Sequence, residues 1–389
     1  MKLNGLDYLD IYNNFEENEI MVQKSTRAFV DKSIIPIINQ HFEDAIFPSE
    51  LINELAKMGF FGINLPKKHG CSGMNNIIYG LVCQEIERGD SAIRSFVSVQ
   101  NSLVMYPISA FGSKKQKKDF LPKLVLGELI GCFGLTEPDH GSDPSGMQTR
   151  AKKISDGYIL NGSKMWITNG SIADIAIIWA KTEDKNMLGF IVEKEMQGFN
   201  SIEMKHKWSL RASDTSELIL EDVFVPNENV LPNVEGLKGP LSCLNQARYG
   251  IGWGAIGSAM AVYEASIKYT KERIQFNKPI ASFQLIQDKL VWMLTEITKG
   301  QLLALQLGKC KDAGTVTAQQ ISLVKRNNTW VARECAKIAR EIHGANGISG
   351  EYPIMRHLMN IESVYTYEGT FDMHTLILGH DITGISAFR

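Results

Sequence analysis

The chain has 389 residues and lacks most of the features that would assign it early. Its six cysteines, at 71, 83, 132, 243, 310 and 335, contain no CxxC pair. That argues against a disulfide framework or zinc cluster and for buried free thiols in a reducing compartment. The eight histidines show no HExxH or comparable ligand spacing, so no metal is expected. No apolar run approaches the roughly 18 residues of a membrane span. The segment Met1 to Met21 carries Asp7, Asp10, Glu16, Glu17 and Glu19, and so has neither a signal-peptide core nor the acid-poor character of a transit peptide. Ser386-Ala387-Phe388-Arg389 is no peroxisomal address. A soluble cytoplasmic protein is expected. Excess charge of one sign is missing too: 41 Lys plus Arg against 43 Asp plus Glu gives a net charge of -2. That excludes a general polyanion-binding or polybasic membrane surface, and no nucleic-acid or membrane partner is expected. There is no GxGxxG after a strand and no GxxxxGK[ST], hence neither a Rossmann site nor a P-loop. Internal repeats and low-complexity tracts are also lacking.

What is present is an ordinary globular composition, long enough for two or three domains of about 150 residues each. Three textures follow one another. From Phe15 to Leu126 the pattern is helical, with Leu51, Leu55, Met58 and Phe60 at three-to-four-residue spacing behind Pro48-Ser49-Glu50. Near Gly131 it changes. Asp156-Gly157, Asn161-Gly162 and Asn169-Gly170 are turn dipeptides between short apolar runs, of which Ile175 to Ala180 and Gly189 to Val192 suit buried strands. Pro226 ends this region. From Leu241 the chain is helical again, Ile286, Leu290, Leu294 and Ile297 marking one apolar face. At least four long helices fit before Ala387, which suggests a bundle. The expected fold is α+β: an N-terminal helical domain (1–130), a middle β-barrel-like domain (131–234) and a C-terminal four-helix bundle (235–389).

Four segments carry a resemblance: Ser91-Ala92-Ile93-Arg94-Ser95, Cys132-Phe133-Gly134-Leu135-Thr136-Glu137-Pro138, Ala247-Arg248-Tyr249-Gly250 and Thr366-Tyr367-Glu368-Gly369-Thr370. In this order, from about Glu17 to Phe388, they resemble the acyl-CoA dehydrogenase family, whose domains run α, β, α. Within it the likeness is to the glutaryl-CoA dehydrogenase subgroup, which Leu285 to Asn328 shares. By spacing alone, Glu368 is a carboxylate in a helix–helix connection, with Gly369 allowing a sharp turn and Thr370 suited to cap the next helix. The resemblance makes Glu368 the catalytic base, removing the α-proton of an acyl thioester while the β-hydride leaves for flavin N5. Buried in an apolar pocket, such a carboxyl has a raised pKa suited to that work. The thioester oxygen needs hydrogen bonds that strengthen as the enolate develops. The resemblance supplies the Glu368 N–H and a ribityl hydroxyl of FAD.

The same resemblance assigns the FAD cradle to Phe133, Leu135, Thr136, Gly141 and Ser142 on one side. Trp166, Ile167 and Thr168 lie on the other, with Thr168 near N5. Arg273, Gln275 and Phe276 match an element reaching the FAD of a neighbouring subunit, and Gln284, Gly344 and Gly347 match contacts to its pyrophosphate or adenosine end. Thr370 and Asp372 complete the cofactor set. A shared site implies an obligate oligomer, in this family a homotetramer. For substrate the resemblance points to Glu87, Arg94, Ser95, Ser142, Asn245, Arg248, Tyr249, Tyr367 and Gly369. If one helix carries Glu87, Asp90 and Arg94, they share a face, and an Asp90–Arg94 pair on a solvated surface is the plain alternative. A buried guanidinium at Arg94 would instead hold a terminal carboxylate bidentately and reject a plain alkyl tail. Ile93, Tyr106 and Phe371 stand where the family pattern has an aromatic residue and two histidines, and Glu341 and Ala345 alter a Gln-x-x-Gly-Gly-x-Gly run.

The expected activity is FAD-dependent α,β-dehydrogenation of glutaryl-CoA, with electrons passed to electron-transfer flavoprotein. The glutaconyl-CoA formed loses its γ-carboxylate as CO2, because the electrons left behind delocalise into the enoyl thioester. Protonation of that dienolate, by the proton Glu368 took, yields crotonyl-CoA. The rivals are a short-chain acyl-CoA dehydrogenase or oxidase with no need of a carboxylate, and a non-catalytic, nucleic-acid-associated flavoprotein.

Overall fold

A computed structural model describes residues 6–184 and 186–387; Phe388 and Arg389 of the C-terminal sequence, and the first five residues, lie outside the described residues. The N-terminal helices are α1 (Glu17–Phe29), α2 (Ile35–Asp44), α3 (Leu51–Lys57), α4 (Asn76–Gly89), α5 (Ser91–Ser98), α6 (Tyr106–Phe111) and α7 (Lys114–Val125). Helix α4 starts where the Asn75 side chain accepts the Ile78 N–H, 2.8 Å away. From Ile77 to Gly89 it is buried all round, so its polar residues must find partners inside the protein. Glu85 meets Arg88 at 3.0 Å and Gln23 at 2.6 Å. The helix ends at Asp90, whose extended backbone (φ -165°) breaks it and whose side chain caps α5 through Ala92 N–H at 2.7 Å.

This break corrects the expectation of one helix carrying Glu87, Asp90 and Arg94. The Asp90 carboxylate accepts from the side chains of Arg356 and Asn360 of a C-terminal helix, not from the Arg94 guanidinium. Arg94 pairs with Glu87, and both are buried. Between α5 and α6 the backbone widens into a π-helix, Val99–Met105. There Gln100 donates to Leu124 O and Leu129 O and accepts the Gly131 N–H at 3.0 Å, tying the helices to the first strand.

The middle region is a curled seven-stranded sheet: β1 (Gly131–Gly134), β2 (Arg150–Lys153), β3 (Gly157–Thr168), β4 (Ile175–Thr182), β5 (Met187–Glu193), β6 (Phe199–Glu203) and β7 (Thr215–Pro226). Its order is β1-β4-β2-β3-β7-β6, with β5 also on β4. Strand β4 is buried on both faces, as its unbroken apolar run implies. Ile175, Ile177 and Trp179 join the core under the N-terminal helices, while Ala176, Ile178 and Ala180 join the core of the sheet. Asp156-Gly157 and Asn169-Gly170 do close turns. Asn161-Gly162 does not: it lies inside β3 at a register shift. Asn161 exchanges two 2.9 Å hydrogen bonds with Asp222 there, and Gly162 passes too close to Thr149 for any side chain.

The C-terminal part holds α8 (Lys238–Glu272), a hairpin of β8 (Ile274–Gln275) and β9 (Lys278–Pro279), α9 (Gln284–Asp312), α10 (Ala318–Ile342), α11 (Ile354–Thr366) and α12 (Phe371–Thr383). Helices α8 to α11 pack together, and α12 is a fifth helix laid against α10. Helix α8 crosses α4 at Gly254, where an added Cβ would lie 2.1 Å from Glu87 Oε2. Only glycine lets the two backbones close over the Glu87–Arg94 pair. No helix among the described residues is long and apolar enough to cross a membrane.

Candidate active site

The connection between α11 and α12 is built as its sequence suggests. Tyr367 ends α11, Glu368 and Gly369 turn through positive φ (53° and 95°), and Thr370 caps α12 by accepting the Met373 N–H at 3.0 Å. A left-handed glutamate costs about 1 kcal/mol, so other contacts must hold it. They are two cations from two other helices. Arg248 of α8 donates to Glu368 O at 2.7 Å. Lys325 of α10 donates to Tyr367 O at 2.6 Å and Gly369 O at 2.5 Å.

The Glu368 carboxyl is closed in. Its Oε2 is shut off from solvent and accepts no hydrogen bond among the described residues. Burial raises its pKa above the usual carboxylate range against the pull of Arg94, Lys325 and Arg248. The same burial pushes Lys325 down, opposed by Glu368. His374 of α12 is fully buried, with both ring nitrogens unpartnered among the described residues. Burial, Lys325 and Arg248 hold its pKa down to about 2, so it is a neutral wall.

The second half of the site is the Arg94 cluster. Arg94 Nε donates to Glu87 Oε2 at 2.6 Å, Arg94 Nη2 donates to the Tyr367 hydroxyl, and that hydroxyl lies 3.1 Å from Ser95 Oγ. Ser91 donates to Glu87 Oε1 at 2.9 Å. Glu87, Arg94, Ser95, Tyr367, Gly369, Glu368 and Arg248 are therefore one connected group, and Asn245 joins it through Arg248 Nη1 at 3.3 Å. Arg94, Arg248 and Lys325 all lie within electrostatic reach of Glu87 or Glu368, and burial works against the charged form of each carboxyl. Tyr249 is not brought here. It is fully buried, with its hydroxyl on Asn76 O at 2.7 Å and its ring stacked on Tyr79.

The two cradle segments lie side by side, joined by the hydrogen bond from Met165 N–H to Thr136 O at 2.9 Å. Phe133, Leu135 and Ile167 are buried, and Thr136 and Thr168 are half-buried. Trp166 sits at a bulge in β3 with φ 63° and is 61% exposed. A strained backbone that turns a large apolar ring outward suits a planar cofactor, as does the exposed Gly141-Ser142 loop, with open space over Gly141. The loop is anchored by Glu137, which accepts from Lys164 at 2.9 Å and from the Gln148 and Thr149 N–H groups. Burial alone would raise the Glu137 pKa; Lys164 and those N–H groups hold it at about 2.

The remaining assigned residues stand apart from this group. Arg273, Gln275, Phe276 and Gln284 are exposed at the β8–β9 hairpin and the start of α9, and Phe276 is 86% exposed at φ 51°. Gly344 is exposed, whereas Gly347 is buried, with its place for a Cβ only 2.4 Å from Arg340 O. Asp372 is exposed in the first turn of α12, where a carboxylate suits the helix dipole. Lys325 and His374 were missed from sequence. The signal for Lys325 was its place at the spacing of Ile321, Val324, Asn328 and Val331, the buried face of α10.

A buried carboxylate on a cation-held turn, with an outward indole on the adjoining sheet, suits a flavin-dependent dehydrogenase. The comparisons say which. The acyl-CoA dehydrogenase N-terminal domain family matches residues 16–128, its middle domain 132–223 and its C-terminal domain 235–383. Two structures of glutaryl-CoA dehydrogenase from Mycobacterium smegmatis, one in complex with FADH2, have a TM-score of 0.97 to this chain at 51% and 48% identity. They cover 99% of this chain and 100% and 99% of theirs. Butyryl-CoA dehydrogenase from Megasphaera elsdenii has a TM-score of 0.91 at 34% identity, covering 95% of this chain and 98% of its own. The caffeyl-CoA reductase-Etf complex subunit CarC of Acetobacterium woodii is 33% identical over 94% of this chain and 98% of its own. The chain belongs to the acyl-CoA dehydrogenase family and is an FAD-dependent acyl-CoA dehydrogenase.

Proposed function

We propose that the protein oxidises glutaryl-CoA and decarboxylates the product to crotonyl-CoA, passing electrons to electron-transfer flavoprotein. The observation that carries this reading is Arg94: a buried guanidinium in a cluster with the hydroxyls of Ser95 and Tyr367. Such a cluster favours an acyl chain ending in a carboxylate, to which it can donate hydrogen bonds. Glu368 takes the α-proton, its raised pKa placing it nearer the reaction's needs than an ordinary carboxylate. The Glu368 N–H, which donates to no group among the described residues, holds the thioester oxygen as charge develops there. Bound FAD supplies the acceptor for the β-hydride. After CO2 leaves, the proton held on Glu368 returns to the γ-carbon of the dienolate.

Phe133, Leu135, Thr136, Gly141, Ser142, Trp166, Ile167 and Thr168 hold the cofactor. Arg273, Gln275 and Phe276 reach the FAD of a neighbouring subunit in a homotetramer, Gln284, Gly344 and Gly347 serve its pyrophosphate or adenosine end, and Thr370 and Asp372 complete the cofactor set. The exposed Phe276 and Leu285 support that assembly, since it would cover large apolar side chains that the isolated chain leaves in water. Six unpaired thiols support a reducing cytoplasm.

One observation favours a second reading. Arg94 is already paired with Glu87, so it can be a structural ion pair in a short-chain acyl-CoA dehydrogenase. Purified yellow protein given glutaryl-CoA should reduce a dye and release CO2 in step. Equal turnover of butyryl-CoA and glutaryl-CoA would overturn the proposal in favour of the second reading.

A further inference from the structure

Next to Glu368 lies a buried ion to which the proposed reaction gives no task. Lys325 is fully buried in the middle of α10, and among the described residues its ammonium hydrogen-bonds to backbone oxygens alone, Tyr367 O at 2.6 Å and Gly369 O at 2.5 Å. These carbonyls flank Glu368 on either side, and Arg248 holds the one between them. Burying an ammonium without a carboxylate in hydrogen-bond contact is costly, so a purely structural clamp could be made more cheaply by a neutral amide.

The chemistry lies in the peptide planes. In a planar trans peptide the C=O and N–H point in opposite directions. The Tyr367 carbonyl shares its plane with the Glu368 N–H. Drawing that carbonyl onto Lys325 turns the N–H away from α10, and the positive charge polarises it into a stronger donor. Fixing Gly369 O at the same time holds the far side of the turn, so the left-handed backbone at Glu368 cannot relax. We propose that protonated Lys325 is a positioning residue for the reaction: it aims and polarises the Glu368 N–H at the thioester oxygen and holds the Glu368 carboxyl in place for α-proton transfer.

The inference rests on Glu368 being the base, and the experiment separates the two. The flavin of the purified holoprotein is reduced with dithionite, which blocks hydride transfer. Butyryl-CoA is then added in D2O, and α-deuterium incorporation is followed by mass spectrometry. Glu368→Gln should abolish exchange. If it does not, the base reading itself fails. Lys325→Met should bind flavin and butyryl-CoA as the native protein does yet exchange about 100-fold more slowly per bound flavin, the cost of an ill-aimed oxyanion donor. Lys325→Gln, which keeps two N–H donors without the charge, should recover about tenfold of that loss. Should Glu368→Gln abolish exchange while Lys325→Met leaves the rate per bound flavin within about threefold of native, only the Lys325 inference is overturned.

If neither lysine variant holds flavin, the native protein answers through pH. The groups facing Lys325 are Glu368 and Tyr367 from the turn, His374 from α12, Arg248 from α8 and Arg94 from α5. Tyr367 is pushed up to about 12 by burial and His374 stays neutral, so Lys325 is the cation that titrates. Burial and the two arginines lower its pKa, and exchange should fall on the alkaline side before the ordinary lysine range. A rate still climbing past about pH 9 overturns the proposal.

Discussion

Replacing Arg94 tests the substrate reading, but the obvious variant is confounded. Arg94→Ala would strand Glu87, fully buried and 2.6 Å from its partner, as an unpaired carboxylate. That alone costs about 3–5 kcal/mol and would depress activity on every substrate. The better perturbation removes both charges at once, Glu87→Gln with Arg94→Met, keeping volume close to native. A terminal carboxylate on Arg94 makes two charge-assisted hydrogen bonds of about 1.5–3 kcal/mol each. Because Arg94 also serves Glu87 and Tyr367, the low end applies, and the loss is about 3 kcal/mol. In kcat/KM for glutaryl-CoA that is about 150-fold. Butyryl-CoA, whose methyl end gains an apolar pocket, should hold its kcat/KM or rise. The assay is dye reduction by the purified holoprotein across both substrates, with flavin content as the check on folding. If the two values of kcat/KM fall together in a protein that keeps its flavin, Arg94 is a structural ion and the glutaryl-CoA reading is wrong.

Glu368→Gln should lower turnover by about 10³-fold or more, the upper range for a lost general base, with acyl-CoA binding retained; turnover near native would remove Glu368 from the chemistry. Since burial raises the Glu368 pKa and the base must be ionised, kcat/KM should fall with acid at a pH above the ordinary carboxylate range. An acidic limb at the usual value for glutamate would contradict the burial seen here. Lys164→Met leaves the buried Glu137 carboxylate without its cation, held by two backbone N–H groups, and should destabilise by about 3 kcal/mol in urea unfolding, with loss of flavin. The native Glu137 carboxyl is depressed to about 2, so its contribution is complete above the unfolded-state pKa and is lost as pH falls through about 2. Gly254→Ala, which puts a Cβ 2.1 Å from Glu87 Oε2, should cost about 1–3 kcal/mol of overpacking. A neutral result in thermal unfolding would mean that α8 and α4 can part.

Much of the site was legible because its chemistry sits on short contiguous segments. Thr366 to Thr370 encodes a helix end, a left-handed turn and a cap in five residues, and the structure builds each of them. Thr136 and Trp166 were legible only as motifs, and the Met165–Thr136 hydrogen bond is what joins them. Asp90 misled because spacing cannot distinguish a residue inside a helix from one that ends it and caps the next. Asn161-Gly162 misled for a related reason: the dipeptide that makes a hairpin turn also tolerates a bulge, and the strand opposite decides which.

The sequence by itself determined the order of α, β and α segments and the turn that carries Glu368. These depend on local periodicity, composition and backbone preference, which are properties of neighbours in the chain. Only the tertiary structure decided that Arg94 pairs with Glu87, that Tyr249 is withdrawn into the core, and that Lys325 and Arg248 hold the carbonyls around Glu368. Lys325 is 43 residues from Glu368 and Arg248 is 120 away. What brings such groups together is the packing of α8 and α10 around the turn, and burial there shifts the pKa of Lys325 down and that of Glu368 up.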